Sequence, residues 1–251
     1  MMSPRLLDAG DGAFTIEFGD VIAPDLLARV QALDIAIGQL QAAGGLCGLI
    51  ETMPTFRSLT VFFDPLRSGR AELIAQLQPL LSATPQAASL SGRHWRLPAC
   101  YEAEAGPDLA DTAAALGLSV EQLVAQHSAT ELNVYMLGFL PGFPFMGELP
   151  AALHLPRRSQ PRLRVPAGSV AIAGALTAIY PWQSPGGWHL LGRCPVPLFD
   201  ATRAAPSLLA VGDRVRFEPV SLAEYEAIAA ALLAGEIDAS RWLTGAGEAP
   251  A

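Results

Sequence analysis

GSVAIAGALTAIYP, residues 168–181, holds two short apolar runs, GSVAIAG and LTAIYP, bounded by glycine and proline. Runs of this length between such breakers read as strands. They recur from Glu131 onward, as LNVYML (132–137), GWHLLG (187–192) and DRVRFEP (213–219). Strands at this spacing predict a compact β-barrel or sandwich rather than a βαβ fold. Upstream, HWRLPACYE (94–102) reads as one more strand, followed by two short helices. The first runs through Asp111 to Leu116 and stops at Gly117. The second starts at Ser119, where Ser119 and Gln122 fit a capping box with Val120, Leu123 and Val124 behind it. Downstream, Ser221 and Glu224 make another capping box, opening a C-terminal helix through Leu233 and a frayed tail.

The residues before this region predict a small α+β unit. Phe14, Ile16 and Phe18 alternate with Thr15 and Glu17, a half-buried strand. Pro24 and Asp25 open a helix with Leu26, Val30, Leu33, Ile37 and Leu40 on its apolar face, ended by Gly44 and Gly45. A strand follows near Leu49 to Thr52, a turn at Pro54, and a strand on Leu59, Val61 and Phe63. Ala71, Ile74, Leu77 and Leu81 then suit a second helix. Strand–helix–strand–strand–helix is the order of a ferredoxin-like half-sandwich. SATPQAASLSG (82–92) is small, polar and uncharged, and reads as a linker. Two domains are therefore expected: a ferredoxin-like α+β domain over 1–88, and a mainly β barrel domain with a C-terminal helix over 89–251.

Composition limits the function. At 251 residues and 51% hydrophobic, the chain has ample core. No apolar run approaches the roughly 18 residues of a membrane span, and Met1 to Leu7 carries no signal-peptide pattern, so the cytoplasm is expected. A net charge of −8 argues against nucleic-acid binding. Cys47, Cys100 and Cys194 lack metal-ligand spacing and read as free thiols; no metal site is evident. All 16 basic residues are arginine. That excludes a Schiff-base lysine, a Walker-type lysine and a biotinyl-lysine on this chain. No GxGxxG, HExxH or GxSxG motif is present. Any anion must be held by arginine or backbone amides.

Three stretches remain unexplained by packing alone. GFLPGFPF (138–145) is aromatic, uncharged and stiffened by glycine and proline, too apolar for a solvated loop. Phe139, Phe143 and Phe145 are expected to line a cleft or cover a partner, or else to plug the barrel end. PRRSQPRLRVP (156–166) carries Arg157, Arg158, Arg162 and Arg164 with no acid among them. Guanidinium forks match carboxylate and phosphate oxygens two at a time. A solvated loop paired with acids elsewhere accounts for the same composition. In YPWQSPGGWHLLG (180–192), Gly186 or Gly187 can take positive φ and present amides to a ligand, with His189 beyond as an acid or base. A hairpin turn between barrel strands explains the same residues and, for this stretch taken alone, is the favoured reading.

Together these stretches are more specific. GFLPGFPF, RSQPRLRVPAGSVAIAG (158–174), TAIYP (177–181) and SPGGWHLLGR (184–193) resemble the B-subunit family of 5-oxoprolinase. That family also goes under the names allophanate hydrolase subunit 1, Kip-type histidine-kinase inhibitor and carboxyltransferase subdomain 1. GPDLADTAAALGLSVEQLVAQHS (106–128), PLFD (197–200), GDRVRFEPV (212–220) and PTFRSLTVFFDP (54–65) extend the likeness over nearly the whole chain. Two positions depart from the family pattern: Ala178 where TGIYP is usual, and Glu148 where GGLP is usual.

The resemblance implies a cyclophilin-like barrel after the ferredoxin-like domain. It also implies work with two partners, a homologous C subunit of 5-oxoprolinase and an A subunit of different fold. The implied reaction is the ATP-dependent opening of 5-oxo-L-proline to L-glutamate. ATP is then the cofactor of the complex, and this chain is expected to be inactive alone. Phosphorylating the amide oxygen would activate the lactam, which calls for anion stabilisation. Arg158, Arg162 and Arg164 are the candidate anion holders, Gly186 and Gly187 the amide donors, and His189 or Tyr180 the proton-transfer group. Two other roles fit the same family: inhibition of a sensor histidine kinase, and a carboxyltransferase component in urea or allophanate metabolism.

Overall fold

The computed structural model describes residues 4–82, 92–102 and 104–245. The chain divides into two compact units, one before Gly92 and one from Gly92 onward. Most of the linker-like run 82–92, the expected boundary at 88/89 and the tail beyond residue 245 lie outside the described residues.

The first unit contains β1 (Arg5–Asp8), β2 (Ala13–Glu17), α1 (Pro24–Ala42), β3 (Leu49–Pro54), β4 (Ser58–Phe63) and α2 (Arg70–Ser82). Its antiparallel sheet has the order β1-β2-β4-β3. The alternating Phe14, Ile16, Leu59, Val61 and Phe63 form one core with Val30, Leu33 and Ile37 of α1 and Leu73 and Leu77 of α2. Periods of two and 3.6 thus bury the same apolar set from both sides. Strand β1 departs from expectation. All four of its side chains are exposed, so it has no burial alternation to betray it, and it is held by its ladder to β2 from Arg5↔Glu17 to Asp8↔Phe14.

The second unit contains β5 (His94–Cys100), α3 (Leu109–Leu116), α4 (Val120–Ala129), β6 (Leu132–Leu137), β7 (Pro144–Gly147), β8 (Arg162–Val165), β9 (Ser169–Ala173), β10 (Leu176–Ile179), β11 (Ser184–Gly186), β12 (His189–Arg193), β13 (Arg214–Val220), α5 (Leu222–Leu233) and β14 (Leu243–Gly245). Seven strands in the order β12-β9-β10-β7-β6-β13-β5 close into a barrel through Arg193↔Cys100, where β12 meets β5. The pairs are antiparallel except β5 with β13, which run parallel. Both expected capping boxes form, at Ser119 with Gln122 and at Ser221 with Glu224. Among the described residues, no helix is long and apolar enough to cross a membrane.

The stretch GSVAIAGALTAIYP serves two cores at once. Val170, Ile172 and Ile179 belong to the main core inside the barrel, with Leu97, Leu132, Val134, Leu191 and Val215. Ala171, Ala173, Ala178 and Tyr180 belong to a second cluster, with Phe143, Val165, Trp188 and Leu190. Successive strand residues point to opposite faces, so this second cluster lies on the outer wall of β9 and β10. The two-stranded ribbon of β8 and β11 and the aromatic segment cover it. Small alanines on the wall leave room for the rings. Ala178, one departure from the family pattern, is part of this floor and has no positive φ. The other departure, Glu148, does take a left-handed φ of 73°, and the Tyr135 hydroxyl donates to its carboxylate.

GFLPGFPF is part turn and part strand. Its last two residues begin β7, with Pro144 at the first position, where a strand tolerates a missing N–H. Phe143 is 2% exposed and is the hub of the ring cluster. Its ring centroid lies 5.4 Å from Phe139, 4.8 Å from Phe145, 5.1 Å from Tyr180 and 6.1 Å from Trp188. Phe143 is thus unavailable to cover a partner, and it plugs no barrel end. Phe145 is partly buried beside it. Phe139, 63% exposed at a left-handed φ of 69°, is the one of the three that faces outward.

Candidate active site

The carboxylate that organises the arginine stretch comes from residue 108, at the start of α3. Gly106 lies so close to β12 that a Cβ there would stand 2.1 Å from the Leu191 carbonyl oxygen, which only glycine permits. The next turn delivers Asp108 to β12, where its amide donates to the Leu190 carbonyl at 3.1 Å. Its side chain does not cap α3. Instead Oδ2 accepts the Leu190 amide at 2.8 Å and Arg162 Nη1 at 2.9 Å, while Oδ1 accepts Arg158 Nη1 at 3.0 Å and the second Arg162 Nη. Asp108 is only 2% exposed. Burial alone would raise its pKa, but the Arg162 hydrogen bond, the Leu190 amide and the charges of Arg162 and Arg158 outweigh it. The carboxyl is held below the usual carboxylate range.

This bracket sorts the expected anion holders. Arg162 gives its fork to Asp108 in a bidentate pair, so it braces the site rather than holding a ligand. Arg158 spends one Nη on Asp108; its Nε is buried with no hydrogen-bond partner. Arg164 is exposed on the ribbon and lines no part of the cleft described next. The arginine stretch contains no acid of its own, and Asp108 supplies one from 50 positions upstream.

Arg157, Arg158, Ser159, Gln160, Leu155, Pro156, Ala115 and His189 line a cleft of about 480 Å³. Arg157 also lies over the Trp188 ring, 5.9 Å from its centroid. His189 Nε2 is 2.8 Å from the Pro156 carbonyl oxygen. A carbonyl only accepts, so Nε2 carries the proton and Nδ1 of the neutral ring is left as an acceptor. Of the expected groups, the structure thus brings Arg158 and His189 together. Arg157 and Gln160 join them.

The remaining candidates lie elsewhere. Tyr180 is 1% exposed, outside the cleft, and its pKa is raised by burial against the opposing charges of Arg157 and Arg162. It keeps its proton at neutral pH and is not placed for proton transfer. Neither Gly186 nor Gly187 has positive φ. Gly186 pairs with Arg162 in the β8–β11 ribbon, and a Cβ there would stand 2.3 Å from the Tyr180 hydroxyl oxygen. Gly187 uses its carbonyl to accept the Arg158 amide at 2.8 Å, which ties the arginine stretch to the cleft wall. Close packing, rather than a ligand, accounts for Gly186. Asp108 carries no local signal in the sequence, because its arginine partners lie 50 and 54 positions away.

Known proteins resemble this chain in sequence and fold. The family described as carboxyltransferase domain, subdomain C and D, matches residues 4–209, a span that includes Asp108, both bracing arginines and His189. The chain is 37% identical over 228 residues to the B subunit of 5-oxoprolinase from Bacillus subtilis (strain 168), covering 87% of this chain and 93% of that protein. It is 44% identical over 171 residues to the corresponding B subunit of Escherichia coli O157:H7, covering 68% and 78%. Among solved structures, TTHA0988 superposes with a TM-score of 0.72 at 41% identity, over 83% of this chain and 40% of that one. The chain therefore spans about two fifths of that larger protein. The urea amidolyase of K. lactis has the same fold, with a TM-score of 0.72 at 21% identity over 91% of this chain. A match of this extent across both units leaves one conclusion: the chain belongs to the carboxyltransferase-domain family, subdomains C and D, alongside the B subunits of 5-oxoprolinase.

Proposed function

We propose that this chain is the B subunit of a cytoplasmic, ATP-dependent 5-oxoprolinase that opens 5-oxo-L-proline to L-glutamate with its A and C subunits. The observation that carries this reading is the likeness to a named B subunit over 93% of that protein's length. On this reading the N-terminal unit (1–88) is a ferredoxin-like sandwich whose fourth strand comes from before the first helix. The remainder (89–251) is a cyclophilin-like barrel.

The cleft suits the anionic end of the substrate. Arg157 and the Arg158 guanidinium nitrogen not bonded to Asp108 receive the carboxylate. His189 Nδ1 accepts a proton or orients a water beside it. Asp108 and Arg162 keep the donors aimed, so no reorganisation is needed as charge develops. A nucleotide fits less well. The residues lining the cleft include no carboxylate to take its magnesium, and Asp108 is already engaged by two arginines. ATP is therefore assigned to a partner in the complex, and no step on this chain runs through it.

Reconstitution tests the reading. The isolated chain should release no glutamate from 5-oxoproline, and adding the A and C subunits should restore ATP-coupled release. In the complex, Arg158→Lys keeps the charge but loses the fork, and should cost on the order of 2–4 kcal/mol in kcat/KM. Robust turnover by the chain alone, or wild-type kcat/KM in the Arg158 variant, would overturn the shared-site reading. The carboxyltransferase description of the family favours one second reading, a role in urea or allophanate metabolism. Carboxyl transfer from a biotinylated partner, in place of lactam opening, would select it.

A further inference from the structure

A second basic site lies on the barrel wall formed by β5 and β13. These strands run parallel and in register, with Arg214 beside His94 and Arg216 beside Arg96. Trp95, Leu97, Val215 and Phe217 are buried in the main core. Strand alternation therefore turns His94, Arg96, Arg214 and Arg216 outward together. With Glu131 and Thr244 they line a pocket of about 150 Å³.

The charges in this pocket do not balance. Arg214 meets Glu131 at 3.1 Å, and the other Glu131 oxygen stands 4.0 Å from His94 Nδ1. Among the described residues, Arg96 and Arg216 have no carboxylate within ion-pair distance. Glu218, the next outward residue of β13, does not line the pocket. Like charges directly abreast on neighbouring strands destabilise a sheet. Arg214 Nε is in addition buried with no hydrogen-bond partner. Three guanidiniums against one carboxylate, on a chain of net charge −8, call for a further anion.

We propose that this pocket binds a phosphate group. A tetrahedral oxyanion presents enough acceptor oxygens for several arginine forks at once and offsets the Arg96–Arg216 repulsion. A volume of 150 Å³ holds one such group with a few waters, each about 30 Å³, and is below the roughly 300 Å³ at which pockets for larger ligands begin. The site shares no lining residue with the His189 cleft and does not depend on the activity proposed for that cleft.

The test is calorimetric titration of inorganic phosphate into the full chain, against potassium chloride at matched ionic strength. Arg96→Gln, Arg216→Gln and the cleft control Arg158→Gln are titrated in parallel. Saturable binding to the wild type, weakened at least about tenfold in both Arg96→Gln and Arg216→Gln but retained in Arg158→Gln, is the expected result. A glycerol phosphate arm separates the sources: binding of inorganic phosphate alone assigns the free ion, and binding of both assigns the phosphoryl group of a small ester. No binding beyond the chloride control, undiminished binding in the barrel-wall variants, loss only in Arg158→Gln, or an equal response to acetate would each overturn the proposal. Both barrel-wall positions are exposed, and a thermal melt of each variant verifies that it is folded.

Discussion

Asp108 holds Arg158 and Arg162 on one buried carboxylate. Its removal separates bracing from binding. Asp108→Asn keeps the shape but leaves Arg158 and Arg162 without their shared charge. Both guanidiniums retain some solvent, with side chains 32% and 26% exposed, so the stability loss should be about 2 kcal/mol rather than the larger figure for a fully enclosed pair. In the reconstituted complex kcat/KM should fall further than the melt accounts for, because the donors lose their aim. A loss confined to stability would make Asp108 purely structural. His127 offers a second residue-scale test. It is wholly buried, with its ring stacked on Phe217 at 5.0 Å. Thr177 donates to the Ala171 carbonyl at 3.0 Å, so it accepts from His127 Nε2–H at 3.0 Å, and Nδ1 accepts the Tyr101 hydroxyl at 2.8 Å. Burial pushes the His127 pKa down to about 4. The unfolded chain takes up a proton below about 6.5, and the folded chain does so only near 4. Its contribution is thus complete above about pH 6.5 and is lost as pH falls from there to about 4, by up to about 3 kcal/mol. Urea melts at about pH 7, 5.5 and 4.5 should show His127→Gln less stable at neutral pH but flatter across that window. An identical slope in both proteins would reject this assignment.

At the scale of elements, the outer wall of β9 and β10 explains the aromatic segment better than a loop does. The rings pack on alanines, so their contributions differ by position. Phe143→Ala should cost about 3–5 kcal/mol, as for a core phenylalanine. Phe139→Ser should change stability by less than about 1 kcal/mol, since its ring is mostly in solvent. If Phe139 meets the C subunit, the same substitution should weaken co-purification. Thermal melts with pull-downs on both variants separate the two roles. A large melt shift for Phe139→Ser, with none for Phe143→Ala, would reverse the assignment. The ribbon of β8 and β11 works in the same way. Gly186→Ala would drive a methyl against the Tyr180 hydroxyl and should cost about 1–3 kcal/mol by overpacking.

At the scale of the whole molecule, each unit carries its own hydrophobic core, so each should fold alone. Residues 92–245 expressed separately should unfold in one cooperative transition by circular dichroism in urea. A broad, non-cooperative loss of signal would show that the barrel needs the first unit. Function at this scale is not confined to one unit or one chain on the reading proposed above. The cleft gathers Arg157, Arg158 and His189, and its lining residues include no carboxylate.

Much of this architecture was legible locally. The two capping boxes, the apolar stripe of α1 and the alternation at Phe14, Ile16, Leu59 and Val61 all follow from contacts within a few residues, which periodicity records directly. The run of short strands from Glu131 pointed to a barrel or sandwich for the same reason, and the family motifs located the arginine stretch and His189. Tertiary structure decided the rest. Strand β1 has no buried face, and β7 hides behind prolines, so both exist only through partners. Closure of β12 on β5 rests on one pairing between residues 93 positions apart, which no local pattern encodes. The pairing of Asp108 with Arg158 and Arg162 is of the same kind: charge composition showed unneutralised arginines, but only folding could bring a carboxylate to them, bury it and so turn one anion holder into a brace.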